Sequence, residues 1–259
     1  MIKEKILITG SASGLGKYFY ENLSGKGLDR DTSFEELEKI KKQGVDIIIH
    51  CAFNSSKNVN SNSLNSYLKD NIFLTKNLVP IPHKKFIFIS SIDVYPKDQN
   101  IHSEEEIINL DSIDDIYGIT KLMSEAIVKN NCKNYLILRC SALLGKYSRK
   151  NSLIKIIEND ECNLTLSGKS EFNYVLHSDI LEFIKFAIKK NLQGVYNMVS
   201  FQNITLSEIV NIFGKKVNFG KYVYKTGQID NSKIASIFPV FKKTSIEIIN
   251  KFTKEIKNV

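Results

Sequence analysis

The apolar and polar positions of this chain alternate between two patterns. Four stretches are short and almost continuously apolar: Lys5-Ile6-Leu7-Ile8, Gly44-Val45-Asp46-Ile47-Ile48-Ile49-His50-Cys51-Ala52, Lys85-Phe86-Ile87-Phe88-Ile89 and Asn134-Tyr135-Leu136-Ile137-Leu138-Arg139-Cys140. Runs of this kind suit strands buried on both faces of a parallel sheet. Between them the spacing turns helical. It does so over 17–23, at Phe34, Leu37 and Ile40, from Tyr67 to Leu78 with a stop at Pro80, and from Tyr117 through Leu122, Ala126 and Ile127. Strands alternating with helices predict an α/β fold with a Rossmann-like, doubly wound parallel sheet. One interval breaks the pattern. Residues 24–31 hold no strand-length apolar run, so the second strand region is expected to be abbreviated. The Asn- and Ser-rich segment Ser55 to Ser66 reads as a loop over the carboxyl edge of the sheet, and 97–115 as a second polar loop.

Composition narrows the class. With 259 residues, 42% of them hydrophobic, the chain can form one large domain with a smaller lobe. No apolar run approaches the roughly 18 residues of a membrane span. The apolar part of Met1–Ile8 is too short for a signal peptide and reads as the first strand of a cytoplasmic protein. Cys51, Cys132, Cys140 and Cys162 show no metal or redox spacing and are expected as reduced thiols; the four histidines are scattered, so no metal site is expected. The net charge of +8 is spread along the chain. It favours anionic small molecules, and no nucleic-acid-binding motif accompanies it.

Candidate chemistry begins at Thr9-Gly10-Ser11-Ala12-Ser13-Gly14-Leu15-Gly16. A strand precedes this turn and a helix follows it, the context in which glycines admit a dinucleotide diphosphate to a helix N-terminus. Gly10, Ser13, Gly14, Leu15 and Gly16 are therefore candidate cofactor contacts, with Cys51 and Ala52 at the carboxyl end of a neighbouring strand. For the adenosine end, Asp29 suits a ribose, Lys26 and Arg30 suit a 2′-phosphate, and a plain polar loop suits all three. Tyr117 and Lys121 stand at i and i+4, on one helix face. A nearby ammonium lowers a phenol's pKa from its usual value of about 10 toward general acid/base work. Such pairs also arise by chance, and the surrounding motifs give this one its weight.

In order along the chain, Thr9-Gly10 with Gly14 and Gly16, the Ile49-His50-Cys51-Ala52 strand end, Ser90-Ser91-x-x-Val94-Tyr95 and Tyr117-x-x-x-Lys121 resemble the extended short-chain dehydrogenase/reductase superfamily, in its nucleotide-sugar epimerase/dehydratase branch. Asn71 with Ile72, Thr75, Asn77 and Leu78, then Val175 to Asp179, Gly194-Val195-Tyr196-Asn197 and Thr205-Leu206-Ser207-Glu208-Ile209 carry the resemblance over nearly the whole length. It implies NAD or NADP as cofactor, the choice being open. Tyr117 would be the general acid/base, Lys121 would bind the nicotinamide ribose and lower the Tyr117 pKa, Ser91 would bind the substrate oxygen, and Asn71 would support the lysine through a proton relay. Asp93 occupies the place of a second acid/base in epimerases and dehydratases, or is a turn residue bonded to local backbone.

The pattern also departs from the family. Gly10-x-x-x-Gly14-x-Gly16 is the spacing of the shorter branch, Ala142 and Phe172 replace residues that usually grip a substrate diphosphate, and Ser178 replaces an Asp. Lys146, Arg149 and Lys150 are candidates to take over that grip, or form a solvated loop. Expected domains are 1–142 with 172–198 for the dinucleotide and 143–171 with 199–259 for a small, interleaved substrate lobe. The expected activity is NAD(P)-dependent hydride transfer on a sugar, most simply a nucleotide-linked one. A plain keto-sugar reductase and a non-catalytic dinucleotide-binding regulator are the alternatives. The resemblance further implies a homodimer.

Overall fold

A computed structural model of the protein describes residues 4–257, apart from Lys57, Asp114 and the side chains of residues 256 and 257; the start of the N-terminal segment lies outside it. Six strands form one parallel sheet: β1 (Ile6–Thr9), β2 (Gly25–Leu28), β3 (Ile47–His50), β4 (Lys85–Ser91), β5 (Tyr135–Cys140) and β6 (Gly194–Met198). Their spatial order is β2-β1-β3-β4-β5-β6. The winding reverses between β1 and β3, which opens a crevice at the carboxyl ends of those two strands. The register aligns those ends, with Thr9 opposite His50 and Ser91 opposite Cys140.

The interval at 24–31 does contain a strand. β2 is four residues long, forms the sheet edge beside β1, and is held there by backbone pairing and one buried apolar side chain, Leu28, so it needs no apolar run. Glycine is required on it: a Cβ at Gly27 would lie 2.6 Å from Ser11 Oγ. The segment Ser55 to Ser66 is likewise only partly loop. A helix, α3 (Ser61–Leu68), begins inside it, because Asn60 and Ser63 form a reciprocal capping box.

Helices cover both faces of the sheet. α1 (Gly14–Asn22) and α7 (His177–Lys189) pack with Ile8, Ile49, Ile87 and Leu138 on one face; Ile234, Ala235 and Phe241, from the segment past residue 199, join this core. α2 (Phe34–Gln43), α4 (Leu74–Leu78) and α5 (Ile116–Asn131) lie on the other, around Leu7, Ile48, Phe86 and Ile137. Ser33 caps α2, whose buried face carries Ile40, while Phe34 at its start is 76% exposed. A third core joins α6 (Ser152–Glu158), α8 (Leu206–Phe213) and α9 (Ser245–Lys257) around Leu144, Leu176 and Ile249. No helix among the described residues is long and apolar enough to cross a membrane.

Candidate active site

The crevice predicted by the winding holds two adjoining cavities. One, of about 530 Å³, runs from the glycine-rich turn to Ser91, Asp93 and Tyr117; the other, of about 870 Å³, runs from the same turn past Asp29 and Arg30. Gly10, Ser13, Gly14, Leu15, Gly16, Cys51 and Ala52 all line the first. Two glycines make the turn possible. Gly10 has a φ of +72°, and a Cβ on it would lie 3.0 Å from the Ala52 backbone; a Cβ on Gly16 would lie 2.3 Å from the Gly10 carbonyl oxygen. The Cys51 and Ala52 N–H groups donate to Thr9 Oγ1 at 3.1 and 3.0 Å, tying the ends of β1 and β3 together.

Asp29 directly follows β2 at the carboxyl edge. Its carboxylate accepts from Ser11 Oγ at 3.2 Å and from the Asp31 N–H at 3.1 Å. Arg30 reaches the same cavity and pairs with Asp70 at 3.0 Å, whereas Lys26 pairs with Glu36 at 2.7 Å and lines neither cavity. Of the three residues considered for the adenosine end, Asp29 and Arg30 line this cavity and Lys26 does not.

Tyr117 sits in the first turn of α5 because Asp115 caps that helix, accepting from the Gly118 N–H at 2.9 Å. Gly118 lets α5 approach the turn after β4 closely: a Cβ there would lie 2.1 Å from the Asp93 carbonyl oxygen. The phenol consequently meets Ser91 and Asp93. Burial and the Asp93 carboxylate raise its pKa, and hydrogen bonding with Ser91 lowers it. Lys121 is buried one turn on. Its Nζ donates to the Ile89 carbonyl at 2.6 Å and lies 3.7 Å from the centre of the Phe53 ring, but 5.8 Å from that of Tyr117. Burial brings the lysine's own pKa down to about 7.

Asn71 lies in a π-helical turn, Lys69–Phe73. Its side chain pairs with both backbone groups of Asn54, at 2.6 and 3.0 Å, and its carbonyl accepts from Thr75 Oγ1 at 2.8 Å. A buried His50 joins this turn to β1, with Nδ1 at 2.8 Å from Thr9 Oγ1 and Nε2 at 3.0 Å from Thr75 Oγ1; burial holds its pKa down at about 3, so it is neutral. Asp93 pairs with Lys97 at 3.2 Å and hydrogen bonds with Tyr224, over whose ring Lys97 lies at 4.7 Å.

Of the cations expected at a substrate diphosphate, Lys146 lies 3.6 Å from Glu21 and Lys150 3.8 Å from Glu158, while Arg149 donates to Ser55. Several residues of the cleft were not among the candidates for the site. Tyr224 and Phe172 stack at 4.9 Å and come from distant parts of the chain. Ser141 and His177 line the cavity with Oγ and Nδ1 buried and unpartnered. Two lay within reach: Phe53 next to the Cys51-Ala52 strand end, and His177 inside the Val175–Asp179 stretch.

Fold and cleft together define an α/β protein with a doubly wound parallel sheet and a glycine-lined crevice at its switch point. The chain belongs to the NAD dependent epimerase/dehydratase family, whose model matches residues 6–198. It is thus an NAD(P)-dependent enzyme of the extended short-chain dehydrogenase/reductase type. No curated protein matches it in sequence. Solved structures with the same fold include dTDP-4-dehydrorhamnose reductase from Bacillus anthracis in complex with NADP (TM-score 0.83, 20% identity, 98% of this chain and 100% of that one). Two others are UDP-glucuronic acid 4-epimerase from Bacillus cereus with UDP-glucuronic acid and NAD (0.77, 22%, 98% and 99%) and dTDP-glucose 4,6-dehydratase from B. anthracis with NAD (0.75, 17%, 98% and 97%).

Proposed function

We propose that this enzyme transfers hydride between NAD(P)H and a carbinol or keto carbon of a nucleotide-activated sugar, with Ser91, Tyr117 and Lys121 as its working set. The observation that carries the reading is the meeting of Ser91, Asp93 and Tyr117 at one end of a cavity whose other end is the glycine-rich turn. Bound there, the cofactor supplies the hydride acceptor or donor. Tyr117 exchanges a proton with the sugar oxygen, Ser91 orients that oxygen, and Lys121 meets the nicotinamide ribose. Asn71, through its carbonyl in the π turn, supports the lysine side of the site. The substrate class follows the family, whose solved relatives include enzymes crystallised with UDP-glucuronic acid or UDP-glucose.

A plain keto-sugar reductase is the second reading, and Asp93 favours it. A carboxylate paired with Lys97 and bonded to Tyr224 is occupied as a latch between sheet and lobe, and a phenol held neutral is a proton donor suited to reducing a ketone. Asp93→Asn tests whether Asp93 works as a carbon acid/base. In a reductase, hydride transfer should persist within about tenfold and no solvent deuterium should enter the carbon beside the ketone in either protein. Deuterium incorporation that the variant abolishes would establish epimerase or dehydratase chemistry.

The Asp29 carboxylate supports NAD over NADP, since a ribose hydroxyl can donate to it and a 2′-phosphate is repelled. NADH should exceed NADPH in kcat/KM by tenfold or more, on the order of 1.4 kcal/mol, and Asp29→Ser should narrow the gap. Equal use of both cofactors by the wild type would refute the assignment.

A cytoplasmic homodimer completes the proposal. Leu64, Phe73 and Met123, exposed on α3, the π turn and α5, suit a face shared by two copies. Light scattering should give twice the 29.5 kDa chain mass, and Met123→Glu should return it toward the monomer; a monomeric wild type would remove the dimer.

A further inference from the structure

This inference rests on the cofactor reading above and concerns the waist of the groove. We propose that Arg149 is a cofactor-binding residue, which closes over the diphosphate of the dinucleotide rather than gripping a diphosphate on the substrate.

The two cavities share Gly10, Ser13, Ala52, Phe53, Ser55 and Arg149, and of these six residues only Arg149 carries a positive charge. Gly10, Ser13 and Ala52 belong to the carboxyl edge beneath. Ser55 and Arg149 come from separate loops, one after β3 and one after residues Ala142–Leu144, and the guanidinium Nη1 donates to Ser55 Oγ. A dinucleotide with its nicotinamide by Tyr117 and its adenosine by Asp29 has its diphosphate at this waist. Below lies the N-terminus of α1. Its cap residue, Ser13, makes no side-chain capping bond, and its first turn has no acidic residue, so its N–H groups and the positive end of its dipole serve an anion. A guanidinium on the opposite side supplies full charge and a planar fork that matches two phosphate oxygens.

The loop that carries Arg149 is clipped to α1. The Tyr147 hydroxyl donates to Glu21, Lys17 lies 4.6 Å from the centre of the Tyr147 ring, and the Ser148 N–H donates to the Gly145 carbonyl at 2.9 Å. Lys146 and Lys150, its cationic neighbours, face Glu21 and Glu158. Arg149 faces a neutral hydroxyl with one of its five N–H donors, so exchanging Ser55 for phosphate oxygens leaves no carboxylate unpaired. The exchange breaks one hydrogen bond and forms two charge-assisted ones.

The test is a fluorescence titration of NADH into wild type, Arg149→Gln, Arg149→Lys and Ser55→Ala at low and high salt, with UDP-glucose titrated in parallel as the nucleotide-sugar probe. Arg149→Gln should weaken NADH about tenfold or more and flatten the salt dependence of its Kd. Arg149→Lys should recover part of the loss, Ser55→Ala should bind NADH at least as tightly as wild type, and UDP-glucose affinity should be unchanged. Arg149 is exposed, so the variants are expected to fold, and circular dichroism would check this. A weakened UDP-glucose affinity with NADH unchanged would return Arg149 to the substrate diphosphate and overturn the proposal, as would no change in either ligand. A wild type that binds neither NADH nor NADPH would instead overturn the cofactor reading on which the proposal stands.

Discussion

Replacing Tyr117 with Phe is expected to lower kcat by roughly 10² to 10⁴, the usual worth of a positioned general acid/base, while leaving NADH affinity within a few-fold of wild type. The substitution removes one oxygen and little else. The ring meets Phe53 edge-on, with centroids 5.7 Å apart, and a Phe preserves that contact. The helix cap from the Asp115 carboxylate and the close approach at Gly118 do not involve the Tyr117 side chain and are likewise untouched. What disappears is the phenolic proton and its hydrogen bonding with Ser91. Single-turnover measurement of NADH oxidation with saturating keto-sugar isolates the chemical step from product release. A variant that keeps more than about a tenth of wild-type kcat would remove Tyr117 from the acid/base role and leave the cleft as a binding site whose proton comes from elsewhere.

The largest effect on stability is expected at Arg139. Its guanidinium makes two contacts with Glu125, Nε to Oε1 at 3.0 Å and Nη2 to Oε2 at 2.7 Å, and a third with the Tyr95 hydroxyl at 2.6 Å. Glu125 is fully buried and also accepts from Ser90 Oγ at 2.6 Å. Arg139→Ala leaves that buried carboxylate with Lys129, at 3.5 Å, as its remaining cation, and should cost roughly 3–5 kcal/mol, with a fall in Tm on the order of 10 °C. The double variant Arg139→Met/Glu125→Leu should recover much of the loss, because removing both charges also removes their desolvation. Thermal unfolding of the three proteins reads both effects, and an Arg139→Ala cost below about 1 kcal/mol would show that the pair is not held as the geometry implies. The pair also bears on function. Glu125 stands four residues beyond Lys121 on α5, and Ser90 adjoins Ser91 on β4, so the same ion pair sets the rotation of the helix that carries Tyr117 and Lys121. Arg139→Ala should therefore lose activity at temperatures where it is still folded.

The alternation of buried strands and amphipathic helices is written in local pattern, so β1, β3, β4 and β5 were legible from apolar runs and α5 from its spacing. Local chemistry also marked the turn at Gly10–Gly16, because a positive φ and a close backbone approach require glycine at particular positions wherever the chain goes next. Strand β2 was not legible. Edge pairing uses backbone groups that every residue carries, so a strand of Gly25-Lys26-Gly27-Leu28 leaves little mark in composition. Asn60 as the cap that starts α3 inside an Asn- and Ser-rich segment was hidden for a similar reason: the same residues make caps and loops.

The Tyr117–Lys121 pair shows where the division falls. Spacing alone put both residues on one helix face and made them candidates. Their charge states depend on distance and burial, which only the tertiary structure decides: Lys121 turns to Phe53 and the Ile89 carbonyl, and desolvation moves the phenol up and the lysine down. The same holds for Asp93, whose partners Lys97 and Tyr224 come from a loop and from a remote segment, and for Arg149, whose neighbour Ser55 lies 94 positions away. Sequence determined which side chains were available and on which face of which element they stood. Long-range packing determined what each one meets, because side-chain electrostatics depends on separation in space and on burial, and distance along the chain measures neither.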